Sequence, residues 1–510
     1  MSDFIKLFLI SIGLLLSHPY FAPFENLSFS PLFQLFSLAA LFRLSQKKSQ
    51  VQGSLYWAFC FFVMYFVFLR WMGLSPYLAP WGILGQFLAA LILSAAIGGW
   101  YYLSYKYVVL AKSWAIVTFS LLWGLIEWSR QFWFCGFPWY TLSFAWVDLD
   151  MGSCLLGLLG PFWTSSLVLG SSFILSVARQ RKIHLVLSAG TTAIFLLLGA
   201  LFSSPYVVEA EVACLHTDMP LHYFSGSWNR FDVWSRLFQE SPKWKKTPWQ
   251  SLRLCLTHEG LLPDGLGGVK DVITSPSLAQ KLAKMWNCYL VMGIEDDGAD
   301  LGVANAVGIW KPSGELEGYY HKQVLVPFAE YFPMMDWPVI GPWFRDLSKS
   351  YGILEPITPG KASGLYKIQK IPVLFSICFE ETFPSIVAKE ARRGAMLWLS
   401  ASNDGWFPDS SLAFDHYLHA RLVSASTGLC LVRSSQKGYS AVLNGWGRAV
   451  GPVLKPQDSW QWKVEDKLIG RKTLYGSIDE AYGLIFAFLF LIMTWVKPGI
   501  WNLRRKAIGS

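Results

Sequence analysis

Charge is what this chain has least of. Charged residues make up 15% of its 510 positions and hydrophobic residues 53%, whereas a soluble domain carries roughly 25% charged residues. That balance excludes a disordered chain and argues against a wholly soluble protein. The scarcity is local. Residues 1–205 hold 11 Lys/Arg and 5 Asp/Glu, residues 206–480 hold 28 and 29, and residues 481–510 hold 4 and none. The globular-looking segment is nearly neutral, so the overall charge of +9 does not signal nucleic-acid binding. Chemical signatures are missing too. There is no CxxC and no metal-type cysteine cluster, no Gly-rich phosphate loop, no G-x-S-x-G elbow and no internal repeat. His416 and His419 are three apart on a helix with no matching carboxylate pair, which argues against zinc.

What is present first is apolar length. Runs of about 20 apolar residues, the length that crosses a bilayer, recur at 5–24, 28–43, 54–74, 80–100, 108–128, 152–177 and 183–203, and an eighth at 481–497. Pro19 and Pro23 interrupt the first, and the second is short. The first run begins like a signal peptide, but no small-residue cleavage site follows it, so it reads as retained. With the N-terminus inside, the inner segments hold Lys6, Arg43, Lys47, Lys48, Lys106, Lys112, Arg179, Arg181, Lys182, Lys497, Arg504, Arg505 and Lys506. The outer ones hold Arg70 and Arg130. This bias of basic residues toward the cytoplasmic side predicts that residues 206–480 lie outside the cytoplasm. The division is a membrane domain over 1–205, a globular domain over 206–480, and a last span with a basic tail over 481–510.

Residues 206–480 alternate short apolar strands with helices, the pattern of α/β layers. Strands are expected at Val207–Leu215, Leu252–Thr257, Cys288–Ile294, Val303–Trp310, Ile371–Ile377, Met396–Ser400 and Leu429–Arg433. Helices are expected at Ser277–Trp286, Pro384–Arg392 and Leu412–Ser426. The five cysteines here, Cys214, Cys255, Cys288, Cys378 and Cys430, are odd in number, so one thiol at least stays free. The long loop 218–250 carries Trp228, Trp234, Trp244 and Trp249 and reads either as an interfacial lid or as ordinary loop aromatics.

Three strand ends carry reactive groups. Leu252–Thr257 runs into His258 and Glu259. Tyr320-His321-Lys322 is followed by an apolar stretch and Glu330. Val373–Ile377 ends on Cys378, with Glu380 and Glu381 directly after it. Each alone is weak, since a lone Cys after a strand is more often core and a lone Glu or Lys is usually solvated. Together they suffice for acyl transfer. A thiol is a nucleophile as thiolate, a partly desolvated Glu can take and return its proton, and an ammonium can stabilise an oxyanion.

The order Glu259…Lys322…Cys378 resembles the Glu–Lys–Cys triad of the nitrilase superfamily. Tyr320-His321-Lys322 with Leu325–Tyr331, Cys378-Phe379-Glu380, and Ser402–Phe407 with His416, Ala420-Arg421 and Arg433 are similar to motifs of the apolipoprotein N-acyltransferases. So are Glu127-Trp128, Arg130 and Gly136–Trp139 in the membrane part. The resemblance implies a multi-span helical membrane domain plus an αββα nitrilase-like domain outside the cytoplasm of a bacterial inner membrane. It implies that Cys378 takes an acyl chain from a phospholipid and passes it to the N-terminal amine of a diacylglyceryl-cysteine lipoprotein. Glu259 is then the base, Lys322 the oxyanion stabiliser, Glu330 and Glu380 supporting carboxylates, and Trp406 and Trp228 gating aromatics. No metal, cofactor or nucleic acid is implied. His258 stands where the family usually has Pro, Ala329 where it has Gly and Phe379 where a hydroxylated aromatic is common. Val423 and Ser426 replace Arg and Glu, and Gln436-Lys437-Gly438 replaces an Asn-rich turn. The competing readings are a membrane-anchored amidase, in which water resolves the thioester, and a transporter or receptor whose outer domain only binds.

Overall fold

The computed structural model describes residues 2–21, 29–75, 81–110, 113–133, 136–177, 182–219, 230–246, 251–261, 275–296, 303–331, 333, 335, 337–350, 357–408, 410–478, 481, 483–485 and 487–488. The chain divides into two compact units. One comprises residues 1–131, 138–203 and 473–510, the other residues 132–137 and 204–472.

The first unit is helical. Its apolar runs become α1 (Asp3–Leu16), α2 (Ser30–Ser45), α3 (Gln50–Phe68), α4 (Arg70–Leu74), α5 (Gly82–Leu110), α6 (Ser113–Ser129), α7 (Asp150–Val177) and α8 (Lys182–Leu201). Ser49 starts α3 with a reciprocal capping box to Gln52, which satisfies two backbone donors that the first turn leaves open. Pro19 lies beyond the end of α1, in a short 3-10 turn. Gly160 and Pro161 kink α7, with Gly160 at φ +70. Tyr475 packs against Gly160 so closely that any side chain there would collide with its ring. Arg43, in the last turn of α2, donates to the carbonyls of Ser176 (2.8 Å) and Leu175 (2.9 Å), placing a cation at the negative end of α7. Among the described residues, three helical stretches are long and apolar enough to cross a membrane: Gln50–Phe68, Gly82–Val109 and Asp150–Val177. The eighth expected run, 481–497, lies mostly outside the described residues. Glu127 and Arg130 are buried. Glu127 accepts the Leu142 N–H at 2.9 Å and Arg130 donates to the Tyr65 hydroxyl at 3.1 Å.

The second unit is a sandwich of two sheets. Its strands are β1 (Ser204–Val207), β2 (Ala210–His216), β3 (Leu252–Leu256), β4 (Tyr289–Asp296), β5 (Ala304–Trp310), β6 (Leu316–His321), β7 (Leu365–Ile368), β8 (Ile371–Ile377), β9 (Leu397–Asn403), β10 (Cys430–Gln436), β11 (Ala441–Leu443), β12 (Gln461–Glu465) and β13 (Ile469–Lys472). One sheet runs β12-β2-β3-β4-β5-β6 and the other β11-β10-β9-β8-β7, while β1 and β13 form a separate pair. Strands β2, β3 and β4 are parallel to one another, as are β8, β9 and β10. The two inner faces meet in one core. Val212, Leu254, Val291 and Val307 come from the first sheet, and Val373, Phe375, Leu399 and Val432 from the second. Helices cover both outer faces. α9 (Arg230–Gln239) and α10 (Ser275–Trp286) bury Val233, Leu237, Leu278 and Leu282 on the first. After α11 (Gly341–Ser350), α12 (Pro384–Arg392) and α13 (Leu412–Thr427) bury Val387, Tyr417 and Val423 on the second. This is the expected αββα layering. Val423 is thus core, and the Ser426 hydroxyl turns back to the Leu422 carbonyl of its own helix at 2.8 Å. Trp234 and Trp244 pack against the core, so those two do not form a lid; Trp228 and Trp249 lie outside the described residues.

Candidate active site

Parallel strands gather their C-terminal ends on one edge, where α/β proteins commonly place their ligands. Strand β6 runs parallel to β3 and β4, because β5 lies antiparallel to both β4 and β6. The turn after β3 therefore carries Glu259 to the same edge as Lys322, the residue after β6. Asn305 reaches that edge from the start of β5. From the facing sheet, Cys378 follows β8 directly.

The structure brings Glu259, Lys322 and Glu330 into direct contact. The buried Lys322 ammonium donates to Glu330 Oε1 at 2.8 Å and to Glu259 Oε1 at 3.3 Å. Asn305 Nδ2 donates to the same two oxygens at 3.1 and 2.6 Å. Glu330 Oε2 accepts the N–H of Val326 in its own turn at 2.7 Å. Glu259 Oε2 is buried and accepts no hydrogen bond from the described residues, so it is the oxygen open to take a proton. Burial pushes the Glu259 carboxyl above its ordinary value, against the pull of Lys322. Burial also works against the charge of Lys322, but Glu259 and Glu330 outweigh it and hold the ammonium well above its ordinary value. The half-buried Cys378 thiol lies close enough to Glu259 and Lys322 to shift their ionisation. Burial, and then the charge of Glu259, push that thiol well up. It therefore rests protonated, and a base would have to take its proton for the sulfur to act as a nucleophile.

Glu380 ties the lysine loop to the cysteine turn. It is fully buried, and one carboxylate accepts the N–H of Gln323 (2.6 Å), Val324 (3.1 Å) and Ile377 (2.8 Å) and the Tyr320 hydroxyl (2.9 Å). Cys378 sits at φ +51, a left-handed conformation that a side chain adopts only under constraint. Trp406 follows β9 and is 47% exposed, as an aromatic available to an apolar ligand would be.

The substituted positions have local reasons. The neutral His258 ring is buried, with burial lowering its pKa to about 4. It bonds to the Thr217 hydroxyl at 3.1 Å and to the Glu259 carbonyl at 3.0 Å, restraining the Glu259 backbone by hydrogen bonds. The positive φ in the Glu330 turn falls on Phe328 (+62), not on Ala329, so alanine fits there without strain. Phe379 packs edge-on against Phe383 at 5.1 Å and needs no hydroxyl partner. Lys437 takes the positive φ of its turn (+48), and Gln436 Nε2 donates to the Met219 carbonyl at 2.9 Å.

Asn305 was not among the expected site residues. Its signal was a polar side chain second in an otherwise apolar strand. Glu381 was noted only as acidic. It accepts from Arg433 Nε at 2.8 Å and from the Ser400 hydroxyl at 2.6 Å.

Residues 275–464 match the carbon-nitrogen hydrolase family. The apolipoprotein N-acyltransferase of Chlamydia caviae is 31% identical over 186 residues, 35% of this chain and 34% of that relative; the chain thus spans about a third of that relative's length. The apolipoprotein N-acyltransferase of Methylococcus capsulatus is 26% identical over 458 residues, 85% of each chain. The crystal structure of an amidase from Nesterenkonia sp. superposes with a TM-score of 0.35 at 17% identity, covering 56% of this chain and 97% of that one. The second half of the chain thus carries a carbon-nitrogen hydrolase match, and along most of its length the sequence is similar to apolipoprotein N-acyltransferases.

Proposed function

We propose that the chain is an apolipoprotein N-acyltransferase working through a thioester on Cys378. In the first half-reaction the Cys378 sulfur bonds to the acyl carbon of a phospholipid ester as the ester C–O bond breaks. Glu259 takes the thiol proton and delivers it to the departing lysophospholipid oxygen. Lys322 stabilises the oxyanion between the two steps. In the second, the N-terminal amine of a diacylglyceryl-cysteine lipoprotein attacks the thioester, Glu259 accepts a proton from the amine, and that proton returns to the sulfur. Glu330 and Asn305 keep Lys322 aimed at Glu259, and Glu380 holds the two loops together. Trp406 and Trp228 meet the incoming lipid. Residues 206–480 work on the periplasmic side of a bacterial inner membrane, held by seven spans before them and one after.

The observation that carries this reading is the contact of Lys322 with both Glu259 and Glu330 beside a cysteine on a strained turn. That site stands in a chain whose other unit contains helices apolar and long enough for a bilayer, which favours a lipid substrate over a small soluble amide. The test is incubation of the full-length protein with defined phospholipid and a diacylated lipopeptide. The expected product is the N-acylated peptide with one lysophospholipid per transfer. Release of free fatty acid with no peptide product would favour the amidase reading instead.

A further inference from the structure

Next to the cysteine turn lies a second cluster of charges that the proposed transfer does not use. Glu381, Asp404, His416 and Arg433 are all buried. Arg433 donates through Nε to Glu381 at 2.8 Å and through Nη2 to Asp404 Oδ2 at 3.1 Å. His416 Nδ1 meets Asp404 Oδ1 at 2.7 Å. Its Nε2 meets Glu381 Oε1 at 2.9 Å and the carbonyl oxygen of Cys378 at 3.1 Å. A carboxylate faces each ring nitrogen, and although Arg433 Nη2 also lies 3.1 Å from Nδ1, the two anions favour a ring that carries both protons. Two anions then face two cations.

The contact with the Cys378 carbonyl gives the cluster its consequence. In a trans peptide the C=O and the following N–H point opposite ways. Holding the Cys378 carbonyl toward His416 therefore turns the Phe379 N–H away from it. That N–H belongs to the first turn of the 3-10 helix Cys378–Thr382, where backbone donors have no intrahelical acceptor. The φ of +51 at Cys378 needs such a restraint, since a left-handed cysteine relaxes if nothing holds it.

We propose that His416, clamped by Glu381 and Asp404 and braced by Arg433, is a positioning residue for acyl transfer, fixing the Cys378–Phe379 peptide and with it the direction in which the thiol is presented to the reacting carbonyl. This rests on the reading of Cys378 as nucleophile. It also makes the site sensitive to alkali. Burial disfavours the His416 cation, but Glu381 and Asp404 outweigh it and raise its pKa to about 9. The charged or titratable groups facing the ring are Glu381 on the cysteine turn, Asp404 after β9, Arg433 on β10 and Cys378 itself. Of these, Glu381 and Asp404 are held below ordinary carboxyl values and Arg433 above its own. His416 is therefore the group of the clamp that loses its proton first as pH rises.

The experiment follows acylation of Cys378 by intact mass in the full-length protein from pH 6 to 10.5, with two donors: phospholipid, and p-nitrophenyl butyrate, which needs the nucleophile but no lipid site. The parent should slow as pH rises through about 9. Asp404→Asn should move that fall to lower pH, because it removes an anion that keeps His416 protonated. His416→Gln should erase it, lowering kcat about 10–100-fold, the scale of a small misplacement of reacting groups, with KM unchanged. A brace that merely stabilises the fold would change the folded fraction and leave the pH profile of the folded molecules alone. A parent rate flat through pH 9, or the same alkaline fall in all three proteins with either donor, overturns the proposal. Acylation by the p-nitrophenyl ester with the His416-dependent fall, but none by phospholipid, would reject the lipid reading and support the clamp.

Discussion

Replacing Lys322 by methionine removes the ammonium that bridges the buried Glu259 and the partly buried Glu330. The ammonium is 1% exposed and lies within 3.3 Å of both Glu259 and Glu330. Without it, the Asn305 amide is left between them among the described residues. Two unit charges about 5 Å apart at an effective dielectric of about 20 repel by roughly 3 kcal/mol, which is about two pKa units. Burial already holds Glu259 above its ordinary value, and like charge pushes it the same way. Glu259 is thus protonated over a pH range where it should be ionised, which costs up to about a hundredfold on the acid side of its titration. Loss of one oxyanion donor costs about 10²–10³. The two effects share a group and do not simply multiply, so Lys322→Met should slow thioester formation by about 10³–10⁴. Lys322→Arg keeps the charge but puts a planar, bulkier fork into a closed site, and should cost less, about 10–10². The assay is single-turnover acylation of Cys378 followed by mass at several pH values. In the methionine variant the acid limb should move to higher pH as well. Methionine and arginine variants that both turn over within a few-fold of the parent, with an unmoved acid limb, would show that Lys322 has no part in the chemistry.

Other outcomes follow from the same geometry. Cys378→Ser should abolish transfer with membrane insertion intact, whereas Cys255→Ser and Cys430→Ser, which lie in the two cores, should keep it; assays of the three variants decide which thiol reacts. Gly293 on β4 runs so close beneath Glu259 that an added methyl would collide with the His258 carbonyl and lie 2.9 Å from Glu259 Cα. Gly293→Ala should lower kcat about tenfold or more by displacing Glu259, and a rate equal to the parent's would mean that the base tolerates displacement. Reporter fusions in the 44–53 loop and at residue 465 should give opposite signals; equal signals would refute the topology read from the basic residues.

How legible all this was depends on how each residue is buried. Strand β8 and helix α12 occupy the residues expected for them, because Ile371–Ile377 is buried toward its end and Pro384 sits at the first helical position. Strands β6, β7, β12 and β13 went unread. They are short, partly exposed strands that carry Glu317, Lys367, Lys463 and Arg471, and sequence periodicity fades when a strand has no fully apolar face. The candidate triad could be read from its strand ends and motif order. The clamp could not. His416, Asp404 and Arg433 were visible as motif residues, but their meeting with Glu381 depends on four separate elements converging, which local sequence does not encode. The same holds for Asn305, whose partners lie 46 and 25 residues away.

The central claim is that Cys378 carries the acyl chain, and one measurement tests it directly. Full-length protein is incubated with a phospholipid of defined chains, digested, and the Cys378 peptide weighed before and after adding a diacylated lipopeptide. The account predicts a mass increase of one acyl chain on Cys378, sensitive to neutral hydroxylamine as a thioester is, which disappears as the same chain appears on the peptide's N-terminal amine. An unmodified Cys378 while the lipopeptide is still acylated, or a modified Cys378 that the lipopeptide never discharges, would contradict it.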